Sequence, residues 1–284
     1  MAGQARRVER LARSARQAFV PAAVQLRDAL QAELLATDVA PLLRALQDMH
    51  HAVSDADSDA RRPRWLAWLV GSRNASRRFQ ADCRGALASR APVAQRAERL
   101  ARAQQSHAAD AAHHLDRLRE SSDQLAVAVM EAQALLAALW DGLQPQQSGP
   151  DDGRSLASLR ALLAEVEGHR AAVQRLDSAC AAGQDVVRLG RAVLRGREET
   201  LALLDARFEQ AWLDWQRALA PLVRDGVSPS QALAGAREGS APRRALLMLL
   251  EQARVTCTRL QIEEQALAHA LAQLHEQLAA LTSR

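Results

Sequence analysis

The chain has 284 residues, of which 48% are hydrophobic, 25% charged and only 3% aromatic, with no tyrosine. It leans on Ala, Leu, Arg, Glu and Gln rather than on β-branched and aromatic side chains, which excludes an all-β fold, and its hydrophobic content argues against intrinsic disorder. All 37 cations are arginine against 33 acids, so the net charge is only +4, too small over this length to imply nucleic acid by itself.

The first ten residues are polar and basic with no hydrophobic region after them, so no secretory signal is expected. The most apolar short run, Trp65 to Val70, is too short to cross a bilayer, and no longer apolar stretch is expected to do so. The reading is a soluble, cytoplasmic protein. Cys83, Cys180 and Cys257 are odd in number and far apart, which fits reduced thiols better than disulfides or a zinc site.

Residues 1–60 read as two or three short helices followed by an acidic linker. Pro21 and Pro41 suit first-turn positions, where a missing N–H costs nothing. Asp38 is the expected N-cap of a helix from about Val39 to Val53, and Ser54 to Asp59 breaks the pattern. The charge then reverses. Between Arg61 and Arg102 eleven arginines face only Asp82 and Glu98.

After Pro92 a heptad register sets in, from Ala97 through Gln104, Leu115, Leu118, Ser122 and Leu125 to Leu143. Such 4-3 spacing keeps one stripe of a long helix facing a partner. Gln144 to Gly153 is a turn rich in Pro, Gly, Ser and Asp. A second run extends from Leu159 through Val166, His169, Cys180, Gly183, Gly190, Arg197 and Trp215 to Leu222. Two long helices joined by a short turn are expected to pack antiparallel, and the small residues Cys180, Gly183 and Gly190 allow either close approach of the backbones or a bend in the helix. After a Gly/Pro-rich break a third run carries Leu246, Leu250, Ala253, Cys257, Leu260, Glu264, Leu267, Leu271, Leu274, Leu278 and Leu281. The predicted fold is therefore all-α, an elongated antiparallel helical bundle or coiled coil of about three long helices plus short N-terminal ones. Along the chain it divides into 1–60, a basic Trp-bearing segment with the long helix pair at 61–225, and a C-terminal heptad helix at 226–284.

Several constellations have residue types and spacings that invite a chemical reading. His107, Asp110 and His114 lie at i, i+3 and i+7, a spacing that could offer two imidazoles and a carboxylate to zinc or iron. The repeated Glu-x-x-His of di-iron bundles is absent, however, and a solvated polar helix face is the simpler reading. Asp55, Asp57 and Asp59 open like a calcium loop, but Ala60 and Leu66 stand where the glycine and the bidentate glutamate are needed. His169, Arg197 and Glu264 fall inside heptad stripes, where polar residues fix register between helices more often than they catalyse. A pairing of Glu264 with Arg197 is conceivable. No phosphate-binding loop, nucleophile elbow or His-Glu-x-x-His motif occurs, so neither an enzyme nor a cofactor is expected.

The most distinctive surface is basic and aromatic: Arg61, Arg62, Arg64, Trp65, Trp68, Arg73, Arg77 and Arg78. Arginines around an indole pair suit an anionic membrane surface or nucleic-acid phosphates. Equally, the aromatics could pack the segment onto the bundle while the arginines stay wet, or the acidic N-terminal part could cover them.

The order of these features carries a resemblance. A basic Trp/Leu-rich segment leads to Arg73-Asn74 and Arg77-Arg78-Phe79. A long helix containing Ala103-Gln104-Gln105-Ser106-His107 follows, and a second long helix closes with Trp212 or Trp215, Gln216, Ala218 and Leu219. From about Pro63 to Leu222 the chain resembles the TelA-like toxic anion resistance proteins, although the family's Pro-Leu-Trp and Asp-Asn patterns have no clear counterpart. The resemblance implies a role in resistance to tellurite, other toxic anions or cell-envelope stress in a bacterium. The physical reading agrees with a non-enzymatic role: the heptad faces suit partner proteins or a homo-oligomer, exposed stripes on the C-terminal helix being able to make a dimer, and the basic Trp-bearing segment suits an anionic surface such as that of the inner membrane. The alternative is a coiled-coil assembly or DNA-binding factor using Arg61 to Arg102; nucleic acid is the less favoured partner.

Overall fold

Residues with high helix propensity fill nearly every position of this chain, and its computed structural model, which describes residues 2–55, 72–143, 153–220 and 240–283, is helical almost throughout. Seven helices are described. They are α1 Ala2–Leu34, α2 Ala40–Asp55, α3 Ser72–Ala88, α4 Arg90–Leu143, α5 Gly153–Leu204, α6 Ala206–Leu219 and α7 Ser240–Thr282. The fold is an all-α helical bundle, as the periodicity predicts.

Two boundaries depart from the expected ones. Where short helices were expected, α1 is a single helix of 33 residues with Pro21 inside it rather than in a first turn. An interior proline costs about 3 kcal/mol, but the buried stripe of Val8, Phe19, Ala23, Leu26, Leu30 and Leu34 continues on both sides of it. At about 1.5–3 kcal/mol per large apolar side chain, that burial outweighs the break. The second heptad run is likewise not one helix. It stops at Leu204, and Asp205, with φ −84° and ψ −128°, turns the chain into α6. Two smaller expectations hold. Pro41 lies in the first turn of α2, and the Asp38 carboxylate accepts a hydrogen bond from the Ala40 N–H at 2.8 Å.

The chain forms two compact units, each assembled from separated stretches rather than from a consecutive segment. One comprises Met1–Ala36, Ala109–Arg191 and Gln265–Arg284; the other comprises Thr37–Ala108 and Ala192–Glu264. In the first unit α4 and α5 run antiparallel. A Cβ added at Gly190 would stand 2.6 Å from Leu115 Cδ2, and one at Gly183 would stand 2.6 Å from Ser122 Oγ and 3.7 Å from the Phe19 ring of α1. The Cys180 thiol donates to the Ser122 carbonyl at 3.3 Å. The end of α7 lies along α1, where Arg16 donates to the Leu281 carbonyl at 3.2 Å and Arg27 meets His275.

In the second unit α2 packs on α3, and Arg243 of α7 donates to the Val53 carbonyl at the end of α2, at 3.0 Å. Arg90 at the start of α4 pairs with Glu209 of α6. Its guanidinium also sits 5.8 Å from the centre of the Trp212 ring, which meets Trp215 edge-on at 5.4 Å.

One expectation from hydropathy is corrected. The helical stretch Gln80–Gly142 contains an eighteen-residue window of mean hydropathy 1.4, which meets the length and composition of a membrane-crossing helix. Counting only short continuous runs such as Trp65 to Val70 overlooks it, because its apolar residues are spread over both the packed and the open faces of α4.

Candidate functional site

Of the basic aromatic surface, Arg61, Arg62, Arg64, Trp65 and Trp68 lie outside the described residues. Arg73, Arg77 and Arg78 stand on α3, but their side chains lie outside the described part. Arginines further along that basic stretch are engaged within the chain. Arg90 holds Glu209 and Trp212, Arg96 donates to the Pro92 carbonyl at 3.2 Å, and Arg102 pairs with Glu98 at 2.5 Å.

The possible metal ligands do not converge. His107 and Asp110 point into solvent, while His114 is half-buried with its Nδ1 3.0 Å from Glu33 Oε2 of α1. Among the described residues no group of three His, Cys, Asp or Glu side chains is placed to hold a metal ion. Spacing along one helix put the trio on one face, but a partner from another helix took the histidine that faces inward. Asp57 and Asp59 lie outside the described residues.

The densest polar arrangement joins two heptad positions. Arg197 of α5, 1% exposed, donates to Glu264 of α7, 8% exposed, at 2.9 Å. The guanidinium also donates to the Thr37 carbonyl at 3.0 Å, and Glu264 accepts from the Val39 N–H at 3.3 Å. The pair therefore pins the connector between α1 and α2 to two long helices. Burial pushes the Glu264 carboxyl above its ordinary value, against the opposing pull of Arg197 and the Val39 N–H. Nearby Cys257 is buried, and burial pushes its thiol up to about 12 despite a hydrogen bond with Thr200. Thr200 itself donates to the Gly196 carbonyl at 2.8 Å. Two of the three polar heptad positions, Arg197 and Glu264, thus meet each other across helices. His169 is only half-buried, 3.7 Å from Glu165.

The residues behind the family resemblance have structural surroundings of their own. Trp212, Trp215 and Leu219 are buried in the second unit, whereas Gln216 is exposed. Both side-chain polar atoms of Gln104 are buried without a hydrogen-bond partner, an unsatisfied position in the stripe of α4.

Sequence reasoning allowed exposed stripes on the C-terminal helix but did not identify the side chains of the open apolar surface. Among the described residues, the exposed large hydrophobic side chains are Val127, Met130 and Trp140 on α4 and Met248, Val255 and Ile262 on α7. Trp140 stands at a groove between α4 and α5 whose walls also include Leu136, Val166, Arg170 and Val173. The signal was present: Met248, Val255 and Ile262 recur every seven residues. Reading one seam per helix passed over it.

Compared with known protein families, curated proteins and solved structures, the chain matches none.

Proposed function

We propose that the protein is a non-enzymatic helical scaffold acting in resistance to toxic anions such as tellurite, or to envelope stress, by docking protein partners on its long helices. One observation carries the scaffold part: among the described residues, the exposed large hydrophobic side chains sit on α4 and α7. Apolar side chains on a long helix face cost solubility unless a partner covers them. The groove beside Trp140, lined also by Leu136, Val166, Val173, Asp141 and Arg170, is the proposed seat for a partner's apolar helix. The stress context comes from the resemblance, and the arginines at 73, 77 and 78 are the proposed contact with an anionic surface.

The test is tellurite and envelope-antibiotic sensitivity in the source organism with the gene deleted and then restored. The restored gene is expected to return resistance. Versions carrying Trp140→Ala, or Arg73, Arg77 and Arg78 all changed to Ala, are expected not to. Unchanged sensitivity on deletion overturns the stress reading. Resistance that survives both sets of substitutions overturns the assignment of these faces. Salt-sensitive binding of duplex DNA by the purified chain would favour the DNA-binding alternative instead.

A further inference from the structure

We infer that Met248, Val255 and Ile262 form the contact of an antiparallel homodimer in which α7 pairs with α7 of a second copy. The three side chains are 67%, 57% and 61% exposed. At 100° per residue they lie about 180° around α7 from the buried seam of Leu246, Leu250, Ala253, Cys257 and Leu260. That seam is fully used inside the chain, so the opposite stripe is a second, unfilled one.

The pattern is self-complementary, as a two-fold contact requires. Met248 and Ile262 each stand seven residues from Val255. A two-fold axis at Val255 therefore sets Val255 against its own copy and Met248 against Ile262 of the second copy, twice. Charge chooses the direction. Glu251 and Arg259 flank the stripe, four residues either side of Val255. In the antiparallel arrangement Arg259 comes level with Glu251 of the second copy. In a parallel arrangement Arg259 would stand level with Arg259 and Glu251 with Glu251, and like charges at such a contact are unfavourable. Within one chain Glu251 pairs with Arg254 at 2.6 Å, and Arg259 with Glu199 and Glu263. The pairs with Arg254 and Glu199 are exposed and contribute little, so sharing them across the contact costs little. Three apolar side chains per copy make a small interface, and a dissociation constant on the order of 10 µM is expected. This pairing goes beyond the scaffold reading and does not depend on it, because its test reads no resistance phenotype.

The experiment is sedimentation velocity of the full chain across about 1–200 µM, with crosslinking of single-cysteine additions. The native thiols Cys83, Cys180 and Cys257 are buried, so an added surface thiol dominates the oxidised product. A concentration-dependent dimer is expected, lost in Val255→Glu. Val255→Cys should give a disulfide-linked dimer on mild oxidation, and Met248→Cys should not, because its counterpart across the axis is Ile262. Glu251→Arg should weaken association about tenfold, with Arg259→Glu in the same chain restoring it. A monomer throughout the range overturns the inference. So does a dimer that Val255→Glu leaves intact, or one in which Met248→Cys crosslinks as readily as Val255→Cys.

Discussion

A buried arginine is tolerable only where something takes up its charge and its N–H groups, and at Arg197 this falls to Glu264 and the Thr37 carbonyl. Removing one partner leaves an uncompensated ion in the core, which costs about 3–5 kcal/mol, whereas removing both often costs far less. Burial lifts the Glu264 carboxyl above its ordinary value, so Arg197 does not fully offset the desolvation of its partner. Glu264→Ala is therefore expected to lower the unfolding free energy by about 3–5 kcal/mol, and the double variant with Arg197→Met to recover part of that loss. Urea denaturation of the four members of the cycle measures this. A double variant as unstable as the sum of the singles would show that the two side chains do not act as a pair. The buried thiols give a pH prediction of definite sign. Burial raises Cys83 and Cys257 from 9.0 to about 12. Between those values the native state keeps protons that the unfolded chain has lost, so stability should fall as pH rises above 9. Replacing both thiols with Ala should flatten that slope by about 1–3 kcal/mol per pH unit. Both thiols should also resist alkylation at pH 8 until the chain is unfolded.

At the scale of the helix, legibility depended on how many neighbours each face has. Every position of the third heptad run, from Leu246 to Leu281, is buried, because this face of α7 serves one seam. α5 is buried more widely. Beside Cys180, Gly183, Val187 and Gly190 runs an adjacent set, Ala179, Ala182, Val186, Val193 and Thr200, which a search for one stripe does not register. At the start of α4 the 4-3 spacing puts Ala97 and Ala101 in the seam, yet the buried residues are Val93 and Leu100. The pairing of Arg197 with Glu264 was open in the sequence because relative register across 67 residues is set by packing, not spacing. The glycines of α5 test this packing. A Cβ at Gly168 meets nothing within 4 Å, whereas one at Gly190 falls 2.6 and 3.1 Å from the two methyls of buried Leu115. Gly168→Ala should then stabilise by about 0.5–1 kcal/mol through helix propensity alone. Gly190→Val should destabilise by about 1–3 kcal/mol, as overpacking does. Thermal melts of the two variants should move in opposite directions, and equal shifts would mean that Gly190 is not a close-approach position.

For the whole molecule, the decisive fact is that neither compact unit is continuous in sequence. The first draws its residues from both ends of the chain and from the middle, with Gln265–Arg284 as its last stretch. Leu267, Leu271, Leu274, Leu278 and Leu281 of that stretch are all buried. Along the chain they look like the end of an appended helix; in the fold they are part of a core shared with α1, α4 and α5. Stopping the chain after Glu264 removes five buried leucines, each worth about 1.5–3 kcal/mol. The sum is comparable to the about 5–15 kcal/mol by which a folded domain is usually stable. The truncated chain is therefore expected to lose more helix, by circular dichroism, than the deleted residues account for. Limited proteolysis should cut first within Ala109–Arg191, where the partner face has been stripped, and the second unit should be cut later. Helicity falling only in proportion to the deleted length, with Ala109–Arg191 still protected, would show that the segment is an appendage and that the first unit closes without it.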